Sequence, residues 1–170
     1  MGPTVVGRPN KQPASDRVAV MTANRVEFVV AVYGISKLGA ATVLLSPAWK
    51  AAEVGHAVEL TAPVHAVTDG EATPVIADYL GGDSITDLDD HRALDALGAE
   101  LARLPAGEVG PTGEAVLVFS SGTTGLPKAV RHTHASIGHA TAHWVEALGF
   151  GPGDRFQVAT PPSHILGLPQ

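Results

Sequence analysis

Short apolar runs alternate with longer amphipathic stretches through most of this chain, and the alternation sets its expected architecture. Arg17-Val18-Ala19-Val20-Met21 reads as a strand. Asn24 follows as an expected N-cap, with Glu27 three residues on to close a capping box, and a helix runs to about Leu38 before Gly39 ends it. Ala41–Leu45 is a second strand closed by Ser46-Pro47, and a helix covers roughly Ala51–Leu60. Val64–Thr68 is a third strand, cut off by Asp69-Gly70, with a helix expected over Glu71–Leu80. Gly81-Gly82-Asp83 reads as a loop, Ala93–Leu104 as a helix, and Pro105–Gly113 as an exposed Gly/Pro connector. Ala115–Phe119 is a buried strand, Ala129–His132 a returning hairpin strand, Ala135–Leu148 a helix, and Arg155–Ala159 a last strand after the turn at 149–154. Strand–helix repetition of this kind predicts an α/β fold with a mostly parallel sheet flanked by helices. Ligands of such sheets gather at the carboxyl ends of the strands.

Composition narrows the picture. A length of 170 residues suffices for one domain with a core. The net charge of −6, with no basic block, argues against nucleic acid as a partner. Absence of cysteine excludes disulfides and a thiolate nucleophile. The opening Met1-Gly2-Pro3-Thr4 has no charged-then-apolar leader pattern. The most apolar region, Val26–Leu45, is broken by Glu27, Ser36 and Lys37 and reads as helix then strand, not as a transmembrane segment. A cytoplasmic location is the expectation.

The chemistry concentrates after the strand ending at Phe119. There the chain reads Ser120-Ser121-Gly122-Thr123-Thr124-Gly125-Leu126-Pro127-Lys128. Small residues let backbone N–H groups approach an anion, the hydroxyls add donors, and Lys128 adds a compact cation, a combination suited to a polyphosphate. It is not a Walker A loop, because Leu-Pro separates Gly125 from the lysine and no hydroxyl follows it. On composition alone, a Gly/Thr hairpin turn is the plainer reading.

The full string resembles the phosphate-binding loop of the adenylate-forming (AMP-binding) superfamily, Ser/Thr-Ser-Gly-Thr-Thr-Gly-x-Pro-Lys-Gly-Val, usually followed by Thr-His. Residues 120–128, Val130 and Thr133-His134 match, and Ala129 departs from the usual glycine. The block from Asn24-Arg25-Val26-Glu27-Phe28 through Gly39-Ala40 to Ser46-Pro47 is similar to the family's first block, and Glu53 falls where a Glu-Leu pair is common. Pro161-Pro162-Ser163-His164-Ile165-Leu166-Gly167 resembles the block Pro-x-x-His-x-x-Gly. The resemblance is closer to acyl-CoA synthetases and aryl-CoA ligases than to peptide-synthetase domains.

That resemblance implies a set of expectations. Residues 17–170 would be an incomplete AMP-binding N-terminal domain, with 1–16 an unassigned segment. The enzyme would be an AMP-forming acid–CoA ligase, turning a fatty or aryl carboxylic acid into an acyl-adenylate and then a coenzyme A thioester, with ATP and Mg²⁺. Ser120, Ser121, Gly122, Thr123, Thr124, Gly125 and Lys128 would hold the β- and γ-phosphates, and His164 would be the catalytic residue beside the carboxylate. No residue here is assigned to a metal. The adenine- and ribose-binding segments, the Thr-Glu metal ligand and the small C-terminal domain would lie beyond Gln170, so the chain alone would be an inactive fragment whose truncated surface associates. A non-catalytic remnant or a nucleotide-binding module is the alternative.

Other features have plainer readings. His132, His134, His139 and His143 cluster, the last two at i, i+4, and a structural role is favoured over zinc. His134 is expected to pack under the loop as part of the Thr-His pair. Trp144 is expected in the core, with the lining of an acyl pocket as the second reading, and Asp87, Asp89 and Asp90 on a solvated face.

Overall fold

The computed structural model describes residues 16–91, 109–120, 125–157, 160, 161 and 163. The helix expected over Ala93–Leu104 lies outside them. The elements are β1 (Arg17–Met21), α1 (Val26–Lys37), β2 (Ala41–Leu44), α2 (Ala51–Thr61), β3 (His65–Thr68), α3 (Thr73–Ala77), a 3-10 turn (Gly82–Ser84), β4 (Ile85–Asp87), β5 (Glu114–Ser120), β6 (Lys128–Thr133) and α4 (His134–Leu148). The six strands form one sheet in the order β4-β3-β1-β2-β5-β6. Every neighbouring pair is parallel except the β5–β6 hairpin.

Alternation along the strands divides the core into two layers. Val18, Val20, Leu44, Val116 and Val118 point to the face covered by Phe28, Val32 and Ile35 of α1 and Ile137 of α4. Ala19, Met21, Val43, Ala66 and Leu117 point to the other face, against Val54 and Ala57 of α2 and Ile76 of α3. From β1 the chain moves one way to β2 and then back past β1 to β3. Right-handed crossovers therefore require α1 and α2 on opposite faces, as observed. Val54 and Ile76 have no exposed surface, and each contributes about 1.5–3 kcal/mol of apolar burial.

Helix ends depart from expectation at α1. Its N-cap is Arg25, not Asn24, and no side chain caps it. Glu27 is drawn instead to the Arg25 guanidinium at 3.0 Å, which holds its carboxyl below the ordinary range. A charged fork within reach outcompetes a backbone N–H for the carboxylate. At α2 the Glu53 carboxylate does accept the Lys50 N–H, at 2.8 Å. Helix α4 begins with a reciprocal box, in which the Thr133 hydroxyl accepts the Ser136 N–H and the Ser136 hydroxyl accepts the Thr133 N–H. It ends at Gly149, whose φ of +68° permits the Phe150 N–H to reach back to the Val145 carbonyl.

Three further readings are corrected. Ile85–Asp87 is an edge strand where only a loop and an acidic run were expected, and residues 155–157 are not a strand. The acidic run is exposed at Asp89 and Asp90, as expected, and its oxygens also find donors at the carboxyl edge of the sheet. Asp87 accepts the Thr73 hydroxyl at 2.9 Å, and Asp89 accepts the Gly70 N–H and the Arg25 guanidinium at 2.9 and 2.7 Å. Beside them, the Asp69 carboxylate accepts the N–H groups of Ala23 and Ala72. Trp144 is exposed, not core: α4 has no buried residue, and Trp144, Val145 and Leu148 face outward. On the same side of the sheet, α1 exposes Val26, Val29, Val30 and Tyr33.

At the amino edge, the buried Glu114 carboxylate joins three elements. Arg17 lies in register with Ala41 on β2, and its Nη2 donates to both Glu114 oxygens at 3.1 and 3.0 Å. Nη1 of the same guanidinium donates to the Thr61 carbonyl of α2, and Arg131 of β6 stands 3.4 Å from Glu114.

Candidate functional site

The expected phosphate loop connects two antiparallel strands. Its first residue, Ser120, ends β5, its last, Lys128, opens β6, and the two are paired across the ladder. Both are exposed. This register brings a hydroxyl and an ammonium to the mouth of one turn at the carboxyl end of the sheet. Gly125 sits at φ +105°, a conformation that a side chain would strain. Ser121, Gly122, Thr123, Thr124 and His164 lie outside the described residues.

Packing on the α2 side steadies both limbs. Phe119, just before Ser120, meets Trp49 edge-on with ring centroids 5.1 Å apart. Pro127, just before Lys128, accepts a hydrogen bond from Nε2 of His56 at 3.0 Å. A cavity of about 730 Å³ opens beside the hairpin, lined among others by Ser46, Trp49, Ser120, Gly125 and His132. It stands where the carboxyl ends of β2 and β5 meet, the expected place for a ligand of a parallel sheet.

The sequence reading misplaced one residue here and missed three. His134 does not pack under the loop. Its N–H bonds to the Gly113 carbonyl at the foot of the hairpin, and Thr133 beside it is in register with Glu114. The loop is at the other end of β5, about six residues and roughly 20 Å away. His132, grouped with structural histidines, lines the cavity. Trp49 and His56 carried no motif. The signal available for Trp49 was its position just past the Ser46-Pro47 turn of a buried strand, whereas His56 depends on packing that no local pattern encodes. His139 and His143 place their rings 4.1 Å apart, and among the described residues no three histidine, aspartate or glutamate side chains gather into a metal-binding group.

Comparison with known proteins decides the ancestry. The signature of the AMP-binding enzyme family matches residues 12–169. The chain belongs to that family. It is 32% identical over 166 residues to the long-chain-fatty-acid–CoA ligase FadD13 of Mycobacterium tuberculosis, covering 90% of this chain and 31% of that protein. It is 34% identical over 178 residues to 4-coumarate–CoA ligase 2 of Oryza sativa subsp. japonica, with the same two coverages of 90% and 31%. Among solved structures, o-succinylbenzoate CoA synthetase of Bacillus subtilis, in complex with its acyl-adenylate intermediate, superposes with a TM-score of 0.72 at 27% identity. That match covers 91% of this chain and 39% of the synthetase. The chain thus spans about a third of the length of the curated relatives it matches. Among its described residues no helix is long and apolar enough to cross a membrane.

Proposed function

We propose that residues 17–170 form part of the N-terminal domain of an AMP-forming acid–CoA ligase, and that the hairpin loop 120–128 grips the phosphates of ATP. The observation that carries this reading is the pairing of Ser120 with Lys128 at the carboxyl edge of the sheet. The exposed hydroxyl and ammonium and the unhindered turn at Gly125 fit a polyphosphate, which needs donors without bulk and a compact cation. In the reaction, ATP and a carboxylic acid give an acyl-adenylate and pyrophosphate, and the coenzyme A thiol then takes the acyl group, breaking the acyl–phosphate bond and releasing AMP. Negative charge grows on the departing pyrophosphate. Lys128, Ser120 and the loop residues Ser121, Gly122, Thr123 and Thr124 would stabilise it by being held in place before the charge develops. Mg²⁺ bound with ATP would neutralise phosphate charge, and we assign it no ligand among these residues. We assign His164 to the flank of the acid, on the strength of its Pro-x-x-His-x-x-Gly block alone. The named activities of the two curated relatives support a fatty or aryl acid as substrate. We place the activity in the cytoplasm, where ATP and coenzyme A are supplied.

The chain by itself would then be inactive, because phosphate contacts leave adenine and ribose unheld. The test is to incubate the purified chain with ATP, Mg²⁺, a panel of fatty and aryl acids and coenzyme A, and to measure pyrophosphate and thioester. We expect neither product, and robust turnover would overturn the assignment of catalytic groups. Calorimetry separates a phosphate-binding chain, which gives saturable heat with ATP, from a remnant that gives none.

A further inference from the structure

We infer that His56 is a positioning residue for the Pro127–Lys128 limb of the hairpin, an inference that rests on the phosphate reading above. A carbonyl only accepts, so the 3.0 Å contact requires the proton on Nε2 of His56, which donates to the Pro127 carbonyl. Proline has no N–H, and the β5–β6 ladder starts only at the next residue, Lys128. The Pro127 carbonyl is therefore the last backbone group before the strand that a side chain from the body of the domain can hold. Fixing it fixes where β6 begins, and so where the Lys128 ammonium stands relative to Ser120.

Helix α2 is itself held firmly at this point. Tyr79 donates its hydroxyl to the Ala51 carbonyl at 2.6 Å. Its ring lies so close to Gly55, the neighbour of His56, that an added Cβ there would meet a ring carbon at 2.7 Å. Val54 and Ala57, on either side, are fully buried against the sheet. The imidazole thus reaches the loop from a rigid base on a different layer of the fold. Donors that must be ordered on binding bind more weakly than ones ordered beforehand, so holding Pro127 and Lys128 in advance favours the anion.

The test uses the chain itself with His56→Leu and His56→Gln, and with His56→Phe should leucine unfold the helix. Trypsin cleavage after Lys128, measured against cleavage after Lys37, reads the anchoring of the loop. Titration with inorganic tripolyphosphate, followed at the amides of Gly125 and Lys128, reads its consequence for binding. His56→Leu should raise the relative cleavage after Lys128 and weaken tripolyphosphate, each by about fivefold, the scale of one neutral hydrogen bond. His56→Gln, whose amide can donate, should recover most of both. Wild-type behaviour in His56→Leu, or a glutamine variant as impaired as leucine, would overturn the positioning role. If tripolyphosphate does not bind the wild-type chain, or binds Lys128→Ala equally well, the phosphate reading has failed, and the cleavage arm still decides whether His56 anchors the hairpin.

Discussion

The Glu114 cluster offers a quantitative test of the packing. Its carboxylate is 6% exposed, accepts two hydrogen bonds from Arg17 and stands 3.4 Å from Arg131. Replacing Glu114 by leucine removes the anion and leaves two guanidinium groups facing an apolar side chain. Breaking a fully buried pair costs about 3–5 kcal/mol. Here the loss is relieved, because Arg17 is 25% exposed and Arg131 68% exposed, so both can recover water. We expect about 2–3 kcal/mol, a fall in Tm of roughly 4–12 °C for a domain of this size. Arg17→Met should cost a similar amount by stranding the carboxylate. The double variant places two apolar side chains together and should cost less than either single change, since apolar replacement of a whole buried pair is often neutral. Urea unfolding of the four proteins gives the coupling energy, expected at about 1.5 kcal/mol or more. A coupling below about 0.5 kcal/mol would mean that Glu114 behaves as an ordinary surface carboxylate, and the bridging role would be refuted.

Other outcomes follow from single residues. Ala62 ends α2 at φ +44°, so Ala62→Gly should stabilise the chain by about 0.5–1 kcal/mol, read as a higher urea midpoint at unchanged slope. Backbone and guanidinium donors lower the Asp89 carboxyl, so its contribution is present above the unfolded value near 3.8 and lost as pH falls through the folded one; Asp89→Asn should flatten the acid limb of the stability–pH curve. Burial lowers the His65 imidazole below 6.5, and the stability tied to its neutral form should decline as pH drops from that value toward the folded one; an NMR titration that finds His65 at or above the ordinary value would contradict this. In the full-length ligase we propose, Lys128→Ala should cost about 1.5–3 kcal/mol in ATP–pyrophosphate exchange, and wild-type exchange would remove its phosphate role.

Much of the fold was legible because its parallel strands are buried on both faces and read as apolar runs. Val18–Met21, Ala41–Leu44 and Val116–Phe119 stand out for that reason, and the helices between them follow from the spacing of Phe28, Ile35, Val54 and Ala57. Ile85–Asp87 was hidden because an edge strand of three half-buried residues carries no such run. The donors of Asp87 and Asp89 were not foreseen, because Thr73, Gly70 and Arg25 come from distant parts of the chain. The Asn24 cap failed for a related reason: the competing Arg25 fork is itself oriented by Asp89, 64 residues away. At the site, the sequence marked the loop through its residue types, but not the cavity beside it. Trp49, His56 and His132 meet the hairpin only once β2, α2 and β5 are assembled. The exposed Trp144 shows the converse, since a large aromatic side chain predicts burial without naming what buries it.

The seam between β2 and β5 has a kinetic meaning. Units β1–α1–β2 and β2–α2–β3 close through contacts near in sequence, and the β5–β6 hairpin with α4 closes through its own turn. The docking of β5 on β2 joins them, with Trp49 and His56 also reaching the hairpin, and its clamp links Arg17 to Glu114, 97 positions apart. Bringing such distant segments together carries a large loop-closure entropy, and contacts of long sequence separation form slowly. The wall of the cavity made by Leu44, Ser46 and Trp49 on one side and Val118 and Ser120 on the other is therefore created in that late event. Until the two halves meet, the hairpin has no cleft beside it, and the phosphate role proposed for its turn would have to wait for that docking.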